Sequence, residues 1–414
     1  MKMISGIVVG VALAVGSTAL VTSTSAIAAK AEKAAPAKAY KLSEPFRKAI
    51  APVQTSIKAG TLPDAQAKMD AADAIASAPD EKYIAGAVRL ELALALKDTA
   101  MQARALDGIL ASGAAPAADI PKFTFFSGNF AFQRGDYALA ATKLAEADRL
   151  GYKNPDMLLL LAEANFKQNK IVEGLPFVER AIAEAAAKGE KAPESWYQRA
   201  SSVAYKAKMA PEVAKWTRLQ VRAFPTAENW RSAIVIYRDS AKLDGQASLD
   251  LMRLMRITKS LVGERDFFEY ASLATERALP GEAQSSIEEG FASGAVPRTS
   301  RAVNEMLTLA KGKIAVDRAS LIASEKQAAG SATGKIAAGT ADGFLGYGED
   351  GKAITLYQLA LTKGGVDVDA VNTRLGIALA RSGQKDAARA AFALVKGPRA
   401  AIASFWTLWL DTTA

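Results

Sequence analysis

Residues 122–150, KFTFFSGNFAFQRGDYALAATKLAEADRL, decide the fold. The spacing predicts two helices, Lys122–Arg134 and Asp136–Leu150, broken at Gly135, a residue suited to ending a helix in a left-handed turn. Thirty-four places on, the pattern returns: Gly128 is followed by Ala162, Tyr137 by Ile171, Ala140 by Gly174, Leu144 by Val178 and Ala147 by Ala181. Trp196 and Trp230 are separated by the same 34 residues. A period of this length is that of stacked helical hairpins, each unable to bury its apolar face without a neighbour.

Outward from this stretch the chain reads as helical from about residue 43, with runs rich in Ala, Leu, Glu, Lys, Gln and Arg. No segment alternates in the manner of a strand. Hairpins are expected within 43–112, 120–260, 265–330 and 331–396, with a further pair inside Thr299–Gln327. The helix of 398–411 is expected to cap the array, because Ile402, Phe405, Trp406 and Trp409 give it a wide apolar stripe. The rival reading of the two Trp residues is a docking surface. The expectation is an all-α, right-handed superhelical solenoid of about ten hairpins plus that cap. Pro176 is expected near the first turn of a late-starting second helix.

The first 28 residues read as a secretory signal peptide. Lys2 is followed by an apolar run, Ile4 to Val21, and by the small-x-small site Ala26-Ile27-Ala28. A retained signal would make the same segment a membrane anchor. Residues 29–42, rich in Lys, Ala and Pro, read as a flexible linker. No later run is long and apolar enough to span a bilayer, so no stable span is expected after cleavage. The expected location is the periplasm of a Gram-negative bacterium.

The 414-residue chain has no Cys and no His. Thiolate metal sites, disulfides, a Cys-linked lipid anchor and any Ser-His-Asp triad are thereby excluded. No cofactor or metal is expected. The formal charge of +9 falls by one with the signal peptide, and cations and acids are interspersed rather than striped. No nucleic-acid surface is expected.

The repeating positions resemble those of the tetratricopeptide repeat family. Leu375-Gly376, Leu379, Gly383, Ala388 and Phe392 fall at the family's spacing, as do Gly128, Gly135, Tyr137, Ala140, Leu144 and Ala147. Ala353, Tyr357 and Ala360 occupy second-helix positions, and Trp230 with Tyr237 matches an opening helix. Residues 43–112 and 245–330 depart from the consensus, and the spacing stretches between Trp230 and Tyr270. The resemblance implies a non-catalytic scaffold that binds a protein or peptide partner in the envelope. Its register implies a concave groove formed by Phe125, Asn129 and Phe132, then Glu163, Phe166 and Lys167, then Tyr197 and Tyr205, and then Arg231 and Arg238. The alternative is that the Phe cluster 123–132 packs on the N-terminal hairpins.

Two stretches imitate catalytic motifs. Gly346–Lys352 is glycine-rich but lies between helices and carries Glu349 and Asp350, which repel phosphate, so an inter-helix turn is expected. Pro193-Glu194-Ser195-Trp196 offers the Glu-Ser pair of lytic transglycosylases, which would make Glu194 the acid of a peptidoglycan hydrolase. That family's downstream Gly-rich motif is missing, and Pro-Glu is an ordinary helix start.

Overall fold

Gly135 has φ of +84°. The amide after it, on Asp136, donates to the Ala131 carbonyl at 2.9 Å, a bond that closes the helix end. The same device recurs without glycine. Lys97, Asn169, Lys208 and Ala278 all have φ between +55° and +61°. The amides that follow reach back to Ala93, Asn165, Ala204 and Ala274 over 2.9–3.0 Å. A left-handed residue thus marks most of the hairpin turns, and side-chain identity marks only some of them.

The computed structural model describes residues 39–413. Residues 1–38, which hold the whole signal segment and most of the expected linker, lie outside the described residues. The described end of that linker is tied down: Tyr40 stacks on Tyr83 at 5.0 Å and the Lys41 amide donates to Asp80. The chain falls into two compact units that divide between Glu190 and Lys191.

The first unit contains α1 (Glu44–Lys58), α2 (Leu62–Ile75), α3 (Pro79–Leu96), α4 (Thr99–Ala111), α5 (Ile120–Gln133), α6 (Tyr137–Arg149), α7 (Met157–Lys167) and α8 (Ile171–Ala187). They pair in sequence as four antiparallel hairpins, with α1 beside α3 and α5 beside α7. The α5–α6 crossing is close because Gly128 has no side chain. A Cβ there would stand 2.9 Å from Leu144 Cγ. Pro176 lies inside α8, which begins five residues before it, contrary to the expected late start. The missing N–H is tolerated because Pro176 and Val172 are exposed, so the orphaned carbonyl faces water.

The second unit contains α9 (Glu194–Lys206), α10 (Ala210–Ala223), α11 (Ala227–Ser240), α12 (Gly245–Ile257), α13 (Gly263–Glu276), α14 (Pro280–Ala292), α15 (Arg301–Gly330), α16 (Lys335–Gly346), α17 (Asp350–Lys363), α18 (Val368–Arg381), α19 (Lys385–Ala393), a 3-10 turn (Gly397–Arg399) and α20 (Ala400–Thr412). Among the described residues there is no strand. The pair expected within Thr299–Gln327 is instead the single 30-residue helix α15. Gly312, the one glycine within that stretch, keeps a negative φ, so nothing there turns the chain. The turn between α11 and α12 lacks a left-handed residue, and this is where the sequence period stretches. Beyond it α14, α16 and α18 adjoin one another, with α13, α15 and α17 adjoining in a second layer.

The C-terminal helix does more than cap the last hairpin. α20 packs on α18 and α19, as expected of a cap, and also on α10 and α12. The row of helices therefore closes on itself within this unit. Ile402, Phe405 and Trp406 are fully buried. Phe405 meets Tyr237 of α11 at 5.4 Å, and Trp406 stacks on Phe392 of α19 at 6.4 Å. Each large apolar side chain so buried contributes about 1.5–3 kcal/mol.

Candidate partner-binding surfaces

In the first unit the expected groove residues divide. Phe125 is buried in a cluster with Leu144 and Leu161, its ring 5.1 Å from Tyr152. Phe123 and Phe130 belong to the core of the N-terminal hairpins. Five Phe in ten residues spread around a helix wheel, so they serve two cores and leave only part of the cluster for a surface. Phe166 is also interior, where it takes the space left by Gly174. Asn129 and Phe132 remain partly exposed on α5, Glu163 partly exposed and Lys167 exposed on α7. Asn129 accepts a bond from Gln133 at 3.3 Å, and Phe132 meets Tyr137 edge to face at 5.3 Å. Asn129 and Glu163 hold the same position 34 residues apart on two adjoining helices, with Phe132 and Lys167 each within a turn of them. Together they present an amide, an aromatic ring and both signs of charge.

In the second unit Tyr197 is buried against Phe224 and Tyr205 is 69% exposed. Tyr205 lines a shallow, mostly apolar cleft with Met209, Val213 and Ile236. Arg231 and Arg238 are not open to a ligand as unpaired cations. Arg231 pairs with Asp266, and Arg238 with Glu269, both one helical hairpin further on.

Glu194 accepts hydrogen bonds from Gln220 Nε2 at 3.0 Å and Asn229 Nδ2 at 2.7 Å. Those amides hold its carboxyl below the usual carboxylate range. A glycosidase acid must have its pKa raised so as to keep its proton. The arrangement here works in the opposite direction and ties α9 to α10 and α11. Gly346–Lys352 is the turn between α16 and α17, with Glu349 paired to Arg318 and Lys352.

The interior of the second unit is filled by charge. Asp250 of α12 is fully buried and bonded to Arg253 at 2.8 Å and to Arg399 at 2.9 Å. Arg253 makes a two-pronged pair with Glu282 of α14, at 2.8 and 2.6 Å. Arg374 of α18 bonds Asp342 of α16 at 2.6 Å. From the other layer, Tyr270 donates to Glu282 at 2.9 Å and Tyr357 to Asp342 at 2.5 Å. Three guanidinium groups thus balance three carboxylates. Burial pushes the Glu282 carboxyl up, but Arg253, Tyr270 and Arg381 together outweigh it and the net direction is down. For Asp250 burial wins over Arg374, Arg253 and Arg399, and the net direction is up. Such a network has no unmatched charge to offer a ligand, and it orders the unit's core.

A cleft that sequence reasoning missed opens in the second unit between α10 and α19, floored by α20. It holds about 660 Å³ and is lined by Lys215, Arg218, Arg222 and Arg389 against the one carboxylate of Asp411. Arg218 lies 4.3 Å over the Phe405 ring, and its Nε is buried with no hydrogen-bond partner. Arg389 is occupied by Asp411 at 2.9 Å. The signal available was three cations at helical spacing on α10. Nothing local told that α20 would bring α19 beside them.

Among the described residues no group of three or more His, Cys, Asp or Glu is placed to hold a metal ion. No described helix is long and apolar enough to cross a membrane.

No protein-family model matches the chain, and no curated protein matches it. Among solved structures it is similar to a tetratricopeptide repeat protein from Parabacteroides merdae, with 14% identity over 71% of this chain and 100% of that one and a TM-score of 0.26. It is similar to the TPR2AB domain of yeast Sti1, solved in complex with pHSP90, at 12% identity over 72% and 100% of the two chains and a TM-score of 0.24. It is also similar to yeast Tom70, at 10% identity over 89% and 88% and a TM-score of 0.24. At such scores the likeness carries no argument of its own, and the solenoid of helical hairpins stands on the turns and crossings described above.

Proposed function

We propose that this chain is a non-catalytic scaffold of the bacterial cell envelope that binds a protein or peptide partner. The observation that carries the reading is the face made by Asn129 and Phe132 on α5 with Glu163 and Lys167 on α7. It joins an aromatic ring, an amide and charge on two adjoining helices of a preorganised unit, which suits an extended or helical peptide. A rigid receptor spares the entropy of ordering itself on binding. The envelope location is supported by the form of residues 1–28, with a positive start, an apolar run and a small-x-small site. The N-terminal sequence of the mature protein tests it: a start near residue 29 is expected, and a start at Met1 sinks the export mechanism.

The binding face is tested by placing a photo-crosslinking residue at Asn129, with Glu173 on the exposed side of α8 as control. Crosslinked species seen from position 129 and absent from position 173 are expected. They should disappear in an Asn129→Ala, Phe132→Ala chain of unchanged helicity. Identical species from both positions, or their persistence in the double variant, defeats the assignment.

A further inference from the structure

The cationic cleft between α10 and α19 is independent of the α5–α7 face, and its chemistry is more specific. Lys215, Arg218 and Arg222 follow one another at helical spacing and project from one side of α10. Neither Arg218 nor Arg222 has a carboxylate partner among the described residues. Arg218 is the central group. Its guanidinium lies 4.3 Å from the centre of the Phe405 ring and 6.0 Å from that of Tyr237, and burial there removes part of its hydration. Burial pushes its pKa down from the ordinary value, a cost that an arriving anion would relieve. A guanidinium with unfilled donors matches an oxyanion in two-pronged fashion.

The rest of the cleft is mixed, with Ser404, Thr407 and the Arg389–Asp411 pair beside an apolar part. Phe392, Val395 and Leu408 form its base, and Leu219 stands beside Arg218. An inorganic ion would leave this surface unused. The volume, about 660 Å³, lies in the range of small-molecule sites.

The geometry points to a binding site for a small organic anion, one phosphate or carboxylate group on an apolar body, with Arg218 as the oxyanion receptor and Arg222 as the flanking charge. The apolar body lies on Phe392, Val395 and Leu408, and the negative group lies toward α10.

Calorimetric titration of the full chain with phenyl phosphate, benzoate, inorganic phosphate and benzylamine tests this. Phenyl phosphate or benzoate is expected to bind and benzylamine to give no heat, with the tighter of the two anions identifying the head group. Inorganic phosphate is expected to bind about tenfold more weakly than phenyl phosphate, for loss of the apolar contact. Arg218→Gln is expected to weaken the better ligand by about tenfold or more. Arg222→Gln, at an exposed position that the fold does not need, is expected to weaken it about threefold, and it carries the test if Arg218→Gln does not fold. The proposal is overturned by aromatic anions that bind no better than benzylamine, by inorganic phosphate that binds as tightly as phenyl phosphate, or by Arg222→Gln and folded Arg218→Gln isotherms that overlie the unaltered one.

Discussion

Arg399 and Asp250 lie 149 residues apart in the chain and meet in a buried ion pair of 2.9 Å. The pair stands where the C-terminal turn reaches α12, and Trp406 adds a bond from its Nε1 to the Asp250 carbonyl at 3.2 Å. It is the polar half of the seam that closes the second unit. The apolar half is made by Phe405 and Trp406.

The two partners are not equivalent, which gives a ranking. Asp250 compensates Arg253 as well as Arg399. Asp250→Leu strands buried guanidinium groups and is expected to cost about 3–5 kcal/mol. Arg399→Met leaves Asp250 with Arg253 and should cost less, about 1–3 kcal/mol. Urea denaturation of the two variants decides it. If Arg399→Met is the more damaging, the network is not organised around Asp250.

Removal of residues 397–414 tests whether α20 closes the unit or merely ends it. Closure means that truncation bares Tyr237 and Phe392 together. The expected result is strong binding of an apolar dye and rapid proteolysis within 191–396, while 39–190 survives as a resistant fragment. A truncated chain that stays protease-resistant throughout would make α20 an appendage.

The close crossings were legible in the sequence because they need a particular residue. Gly376 leaves room for Phe392, whose ring would stand 2.4 Å from a Cβ there, and Gly128 does the same for Leu144. Hairpin turns at Gly135 and Gly383 were legible for the same reason. Breaks were also legible near Lys97, Lys208 and Ala278, where runs of helix formers give out, but their left-handed conformation was not, because the side chain does not advertise it. The α20 seam was half legible. Trp406 and Phe405 announced a buried stripe, but the stripe is equally apolar whether it covers one hairpin or joins α18 to α10. In the expected groove, register alone placed Phe125 on the face of Asn129 and Arg231 several hairpins further along. Whether a ring turns inward, or a cation finds Asp266, depends on neighbours that register does not name.

Acid should loosen the N-terminal hairpins through Glu81. This carboxylate, 2% exposed, accepts from the Ser43 amide at 2.9 Å, the Ala78 amide at 3.1 Å and the Ser77 amide at 3.0 Å. Those bonds, led by the ones from Ser43, hold its carboxyl at about 2 against 4.5 ordinarily. Its folded pKa lies below its unfolded one, so its stabilisation is complete above the unfolded value. It is lost as the pH falls from about 4.5 toward 2. The contribution is on the order of 2 kcal/mol. Glu81→Gln should lower stability at pH 7 and flatten the acid limb between about pH 4.5 and 2. A variant whose acid limb matches the unaltered chain would move the sensitivity elsewhere.

Ala278 offers the opposite kind of change. It has φ of +55° and is exposed at the turn between α13 and α14. A Cβ in this conformation costs roughly 1–2 kcal/mol. Glycine removes that cost and adds back part of it, about 0.4–1 kcal/mol, as unfolded-chain entropy. Ala278→Gly should therefore stabilise the second unit by about 0.5–1 kcal/mol, read as a higher urea midpoint at unchanged slope. The mirror test is Gly383→Ala, at φ of +81° between α18 and α19, which should destabilise the same unit by a similar amount. Both turns close with the same amide-to-carbonyl bond, Leu279 to Ala274 and Gln384 to Leu379, each at 2.9 Å. The two substitutions therefore probe one conformation from both sides. A loss of stability in both would mean that the left-handed turn is not what sets the energy at these positions.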